Sequence, residues 1–177
     1  RQNRVNSVPN GEITISYDPK TNRLLSFFDA VPGFRDGSDT PRAYLERCID
    51  TIEAREPEIQ AFASIDLTAA RHMADESMAR YADGQALSAV DGMPVGIKDL
   101  FKTSDLPTGL GSPLYKDKHH HLDAAHVWAL KRGGAIIVGK TATPELGSGT
   151  PPPTRNPYNP DHTPGASSSG SGAAVGA

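Results

Sequence analysis

Apolar positions recur along this chain with two different periods, and the switches between them lay out its elements. Tyr44, Leu45, Cys48, Ile49 and Ile52 fall on one face of a helix. Thr40 before Pro41 supplies its start, a side-chain cap followed by a residue whose φ is already helical. The pattern stops before Pro57, which predicts the helix end there. Ile59–Ile65 reads as a short strand, and Asp66 caps a second helix running to about Ala82. Gln85–Asp91 is a loop, and Met93–Ile97 is a strand that delivers Lys98 at its end. Thr103–Lys118 is loop-rich. Asp123 is placed to cap a helix over Ala124–Arg132, closed by Gly133-Gly134. Ala135–Gly139 is a buried-strand signal. Pro144–Pro164 holds seven prolines, an ordered loop or a linker. A Ser/Gly run follows, and Ala173-Ala174-Val175 opens an apolar helix. Helices alternating with short apolar strands give an α/β architecture with no internal repeat.

The opening segment is of another kind. Ile13–Tyr17 alternates as a strand does, Asp18–Asn22 has turn chemistry, and Leu24–Phe28 reads as a returning strand. Residues 1–36 are therefore set apart as an N-terminal extension without an assigned role, with the main domain over 37–177.

Composition narrows the function classes. The 177 residues suffice for one core. A formal net charge of −3 with no basic run gives no footprint for nucleic acid. No apolar run has the length of a membrane span, and the start is not a signal peptide. Cys48 is the only cysteine, so no internal disulfide forms and a reducing cytoplasm fits. The start on Arg1 and the stop at Ala177, within a helical run, both read as cut ends.

Two stretches carry candidate chemistry. Pro94–Asp99 sets Lys98 at the end of an apolar strand, a common active-site position in α/β folds. Burial disfavours an ammonium, so a lysine so placed can serve as a base. Thr163–Gly172 sets consecutive serine hydroxyls on a Gly-rich loop, and a neutral lysine beside a serine activates its hydroxyl. The bland readings are a solvated surface lysine and a flexible linker. Neither a Walker loop nor a dinucleotide loop fits, since no lysine follows the run and Val175 stands where a third glycine belongs. His119, His120 and His121 are consecutive, with His126 nearby, and lack metal-ligand spacing. Cys48 sits among Leu45, Ile49 and Ile52 as a packing residue.

Four segments then match a known pattern in order. They are Asp91–Asp99, Val138–Glu145, Thr154–Pro160 and Thr163–Ser168. From about Asp39 to the end, the chain resembles the amidase signature family of hydrolases. The resemblance implies the N-terminal half of that fold, a mixed central sheet flanked by helices. It implies a Ser-Ser-Lys triad in which Lys98 is the catalytic lysine and Ser167 the bridging serine, held behind a cis peptide bond. Ser168 helps hold Lys98, and Gly165 and Ala166 belong to the supporting, oxyanion-side loop. Ala166 stands where members usually carry glycine, and the segment between Glu145 and Thr154 is short. The nucleophilic serine and oxyanion-hole amides are expected in a Gly-Gly-Ser stretch past Ala177.

By the same resemblance the expected activity is that of a carboxamide-cleaving hydrolase acting on linear amides, without metal or organic cofactor. Its expected partners are a small-molecule amide, the remaining C-terminal polypeptide and a second copy of the chain, with no nucleic acid and no membrane. One alternative is an amidotransferase-type component of a transamidation complex. Another is a truncated, non-catalytic fragment.

Overall fold

The computed structural model describes Asn6–Val8, Gly11–Ile13 and residues 26–177. Strands β1 (Asn6–Val8) and β2 (Gly11–Ile13) pair antiparallel, Asn6 opposite Ile13 and Val8 opposite Gly11. The rest of the Ile13–Tyr17 run, the Asp18–Asn22 turn and Leu24 lie outside the described residues.

The returning strand expected over Leu24–Phe28 is corrected at its described end, because Phe27 opens helix α1 (Phe27–Asp36). Ser26 caps it, accepting from the Asp29 amide. Phe27, Ala30 and Phe34 fall at helical spacing and bury against Tyr44 and Tyr81. The Phe34 ring lies 5.5 Å from Tyr81 and 6.0 Å from Tyr44, edge to face. Residue type suited either element, and this aromatic cluster selects the helix.

Helix α2 (Pro41–Ile59) starts on the Thr40 cap, whose hydroxyl accepts from the Ala43 amide at 3.0 Å. Contrary to expectation it runs through Pro57 to Ile59. An interior proline costs roughly 3 kcal/mol. Burial of Ile59 against Ala61 and Ala173 opposes that cost. So does the Glu56 carboxylate, which accepts from the Ala61 and Phe62 amides at 3.0 and 2.8 Å and closes the helix end. The next strand is correspondingly shorter than expected, β3 (Phe62–Ile65). Asp66 caps α3 (Leu67–Ala82) as the sequence predicts, accepting from the Ala69 amide.

Strand β4 (Pro94–Lys98) leads through a long loop to α4 (Ala125–Arg132) and into β5 (Ile136–Thr141). Asp123 does not cap α4; it accepts instead from Lys131 Nζ and the Ser104 amide, bonds that tie the helix to the preceding loop. The sheet order is β3-β5-β4, with β4 parallel and β3 antiparallel to β5. Every residue of β5 is buried. On one face Ile136 and Val138 pack with Leu45 and Ile49 of α2 and Ala70 and Ala74 of α3. On the other, Ile137 packs with Ile97, Leu106 and Val127 of α4. Helices thus flank a mixed sheet, the α/β arrangement the sequence predicts. Among the described residues no helix is long and apolar enough to cross a membrane.

The Ser/Gly run is not a loop leading to a helix at Ala173. Helix α5 begins within it and spans Ser169–Gly176. Glycine is a poor helix former, but a Cβ on Gly170 would collide with backbone atoms of Ala142 and Ala61. Its absence lets the Gly170 amide donate to the Ala142 carbonyl at 3.0 Å, seating α5 against the end of β5.

Asp91 fastens the approach to β4. Wholly buried, it accepts from Ser77 Oγ (2.8 Å), from Arg80 Nε (2.9 Å) and Nη2 (2.7 Å), and from the Leu87 amide (2.8 Å). Burial pushes its carboxyl up, but Arg80, the Leu87 amide and Ser77 together hold it below the ordinary carboxylate value.

Both of these contacts can be tested by substitution. The stabilisation from Asp91 is complete above the unfolded carboxyl value of about 3.9 and falls as acid protonates the folded carboxylate. Asp91→Asn therefore costs on the order of 3 kcal/mol at pH 7 and flattens the loss of stability below about pH 4. Urea melts at pH 7 and pH 3 check this; an equal loss at both would contradict it. Gly170→Ala destabilises by about 1–3 kcal/mol by forcing α5 off the sheet, and a wild-type midpoint would show that the helix yields freely.

Candidate active site

The last residue of β4 meets the loop that precedes α5. Lys98 Nζ donates to Ser167 Oγ at 2.6 Å and to Ser168 Oγ at 3.1 Å, across 69 residues of sequence to Ser167. Lys98 and Ser167 are half-buried and Ser168 is exposed. The register explains the delivery: Lys98 lies opposite Thr141 of β5, and Thr141 Oγ1 shares a 2.7 Å hydrogen bond with Ser171 Oγ of α5. One face of the strand ends therefore carries both the lysine and the anchor for the serine-bearing helix.

The serine loop is fixed from several directions. Thr143 Oγ1 donates to the Ser167 carbonyl at 3.0 Å. The Ser169 amide donates to the Ala166 carbonyl at 3.1 Å and the Gly172 amide to the Ser168 carbonyl at 2.9 Å. Gly165 has φ +131°, a conformation suited to glycine, and its carbonyl accepts from Thr163 Oγ1 at 2.8 Å. Ala166 is exposed. The Ala166–Ser167 peptide is trans, and no described peptide bond is cis, which corrects that expectation. A cis bond ahead of a non-proline residue lies about 3 kcal/mol above trans. Lys98 reaches Ser167 without it.

On the opposite face of the strand ends, Lys140 lies opposite Ile97 and is fully buried. Its ammonium donates to the Pro107 carbonyl (3.0 Å) and Thr108 Oγ1 (2.9 Å) and pairs with Asp99 Oδ1 (3.2 Å). Burial lowers its basicity against the pull of Asp99. Thr141, Thr143 and Lys140 have no assigned role in the sequence reading; the signal was three polar residues continuing a run apolar enough to be a buried strand.

The remaining candidates lie elsewhere. His119 and His121 stack on each other at 5.9 Å in a surface loop, and His126 sits edge-on to Phe101 at 4.3 Å. Among the described residues no three His, Cys, Asp or Glu side chains converge to hold a metal. Burial pushes the Cys48 thiol up to about 12, the behaviour of a packing residue rather than a nucleophile. A cavity of about 790 Å³ lies beside the β5 end, lined by Phe62, Ala142, Thr143, Glu145 and the prolines 151–153. It shares Thr143 with the serine loop, but neither Lys98 nor Ser167 lines it. The hydrogen bonds, not this cavity, locate the site.

Known proteins resemble this chain in sequence and fold. A glutamyl-tRNA(Gln) amidotransferase subunit from Mycobacterium leprae (strain TN) is 37% identical over 141 residues, 75% of this chain and 28% of that protein. The chain thus spans less than a third of the length of this curated relative. Among solved structures, a chain from a vestigial protein complex bearing on the origins of an s-triazine catabolic enzyme is 31% identical. It has a TM-score of 0.78 and is matched over 85% of this chain and 34% of its own. Native peptide amidase from Stenotrophomonas maltophilia is 25% identical with a TM-score of 0.75, over 89% of this chain and 35% of that one. The Amidase family profile matches residues 43–177. The chain therefore belongs to the amidase family, the amidase signature enzymes.

Proposed function

We propose that this chain carries the lysine and the bridging serine of an amidase that hydrolyses a carboxamide or related C–N acyl bond. The 2.6 Å contact from Lys98 Nζ to Ser167 Oγ supports this reading above all else. Unprotonated Lys98 accepts the Ser167 proton. Ser167 takes the proton of the nucleophilic serine as that serine adds to the amide carbon, passes it to the departing nitrogen and recovers its own proton from Lys98, leaving an acyl-enzyme with the relay reset. Water reverses the relay and releases the acid. Ser168, the second acceptor on Lys98, holds the lysine in line. Gly165 and Ala166 shape the loop that presents Ser167.

The nucleophile belongs, on this reading, to a Gly-Gly-Ser stretch, a tripeptide absent from these 177 residues. The partners are accordingly a small-molecule amide and the polypeptide bearing that stretch. A second copy of the chain is a further partner. The lone, packed Cys48 suits a reducing cytoplasm. The amidotransferase reading has one observation in its favour, the relatives of that name. It keeps the same amide cleavage and changes the fate of the nitrogen, which passes to an acceptor within a complex.

Three outcomes are expected. In active enzyme carrying this chain, Lys98→Ala or Ser167→Ala lowers kcat/KM for a simple carboxamide by at least about a thousandfold, with an unchanged circular dichroism spectrum. Ammonia release at near wild-type rate from either variant would refute the assignment. The 177-residue chain alone, assayed the same way, turns over no carboxamide. Robust turnover by a monodisperse monomer would move the nucleophile to Ser168 or Ser169, to be tested by alanine replacement. Exhaustive chelation leaves the activity of the enzyme intact, and a loss restored by one added metal would overturn the cofactor-free mechanism.

A further inference from the structure

Lys140 is wholly buried near the site, and the proposed chemistry leaves that burial unexplained. An apolar side chain would fill its place without carrying a charge out of water, and replacing a buried ion pair by apolar residues is often neutral or stabilising. A lysine kept there therefore points to what it holds. Its three ammonium protons meet three acceptors, the Pro107 carbonyl, Thr108 Oγ1 and Asp99 Oδ1. All three acceptors belong to the segment that leaves β4 directly after Lys98.

Asp99 is bound at every polar group. Its amide donates to the Thr141 carbonyl at 3.0 Å and its carbonyl accepts from the Leu110 amide at 3.1 Å. Both carboxylate oxygens accept from the Gly109 amide at 3.1 Å, and Oδ1 also meets Lys140. The backbone next to Lys98 is consequently held from both sides. A flexible four-carbon stem such as that of Lys98 keeps one direction only if its backbone does.

We propose that the buried Lys140–Asp99 pair is a positioning device, locking the backbone at the end of β4 so that Lys98 Nζ stays directed at Ser167. Lys140 and Asp99 touch no reacting atom; they act through Lys98. The inference rests on the proposed roles of Lys98 and Ser167.

The test reads geometry rather than turnover. Active enzyme carrying this chain is treated briefly with an N-hydroxysuccinimide acetate, and acylation of each lysine of the chain is followed by mass spectrometry. In the wild type, Lys98, held by Ser167, acylates at least fivefold more slowly than Lys98 in Ser167→Ala. Equal rates would mean that the Lys98–Ser167 contact itself fails, and with it the proposed function. The charge-free double variant Lys140→Met, Asp99→Leu is measured the same way where circular dichroism shows it folded. Its Lys98 acylates at least fivefold faster than wild-type Lys98, while Lys102 and Lys116 keep their rates. A stable double variant with Lys98 still protected would show the pair to be packing alone and overturn the proposal. If the double variant does not fold, Thr108→Val, which deletes one of the three acceptors, is measured instead. An increase of at least twofold at Lys98 supports the proposal, and an unchanged rate overturns it.

Discussion

Strand β5 must be buried on both faces while its second half is polar, and the site is the way that conflict resolves. Ile136, Ile137 and Val138 meet the usual demand of a central strand for apolar side chains. Lys140 and Thr141, and Thr143 just beyond them, are as deeply buried. A buried polar group without a partner is costly, so each must find one. Lys140 finds the loop after β4, Thr141 finds Ser171 of α5, and Thr143 finds the Ser167 carbonyl. Three obligatory hydrogen-bond demands at one strand end thereby gather two segments distant in sequence, the loop after β4 and the Ser167–Ser171 stretch. The glycine at 170 completes the arrangement by allowing backbone to rest on backbone.

Much of this was legible from residues acting locally. Thr40 and Asp66 were readable as caps because a cap needs only its own next turn. The β4 strand and the lysine at its end were readable because apolar period and chain position coincide. The Lys98–Ser167 approach was legible through chemistry and resemblance rather than periodicity, since nothing in a Ser/Gly run encodes what faces it. Where the reading failed, a tertiary partner had overcome a local preference. Pro57 was overridden by the burial of Ile59 and the carboxylate of Glu56. Asp123 gave up capping for Lys131 and Ser104. Gly170 became helical because only a residue without Cβ fits against Ala142 and Ala61.

Carboxylates beside the site illustrate why residue type alone is a poor guide to role. Asp91 and Asp99 both lie in the segments that identify the family, and both are almost wholly buried. Each is saturated by donors from its own fold: Arg80, Ser77 and Leu87 for one, Gly109 and Lys140 for the other. Neither is hydrogen-bonded to Ser167, whose hydroxyl meets Lys98. They brace the two ends of β4, one before the strand and one after it.

The single thiol has a practical corollary. Cys48 packs beside the aromatic cluster of Phe27, Phe34 and Tyr44, and burial pushes its thiol up to about 12, which disfavours the thiolate that maleimides capture. A cysteine introduced on an exposed loop would therefore react ahead of the native one, so a fluorophore or spin label can be directed to a chosen position with Cys48 left in place.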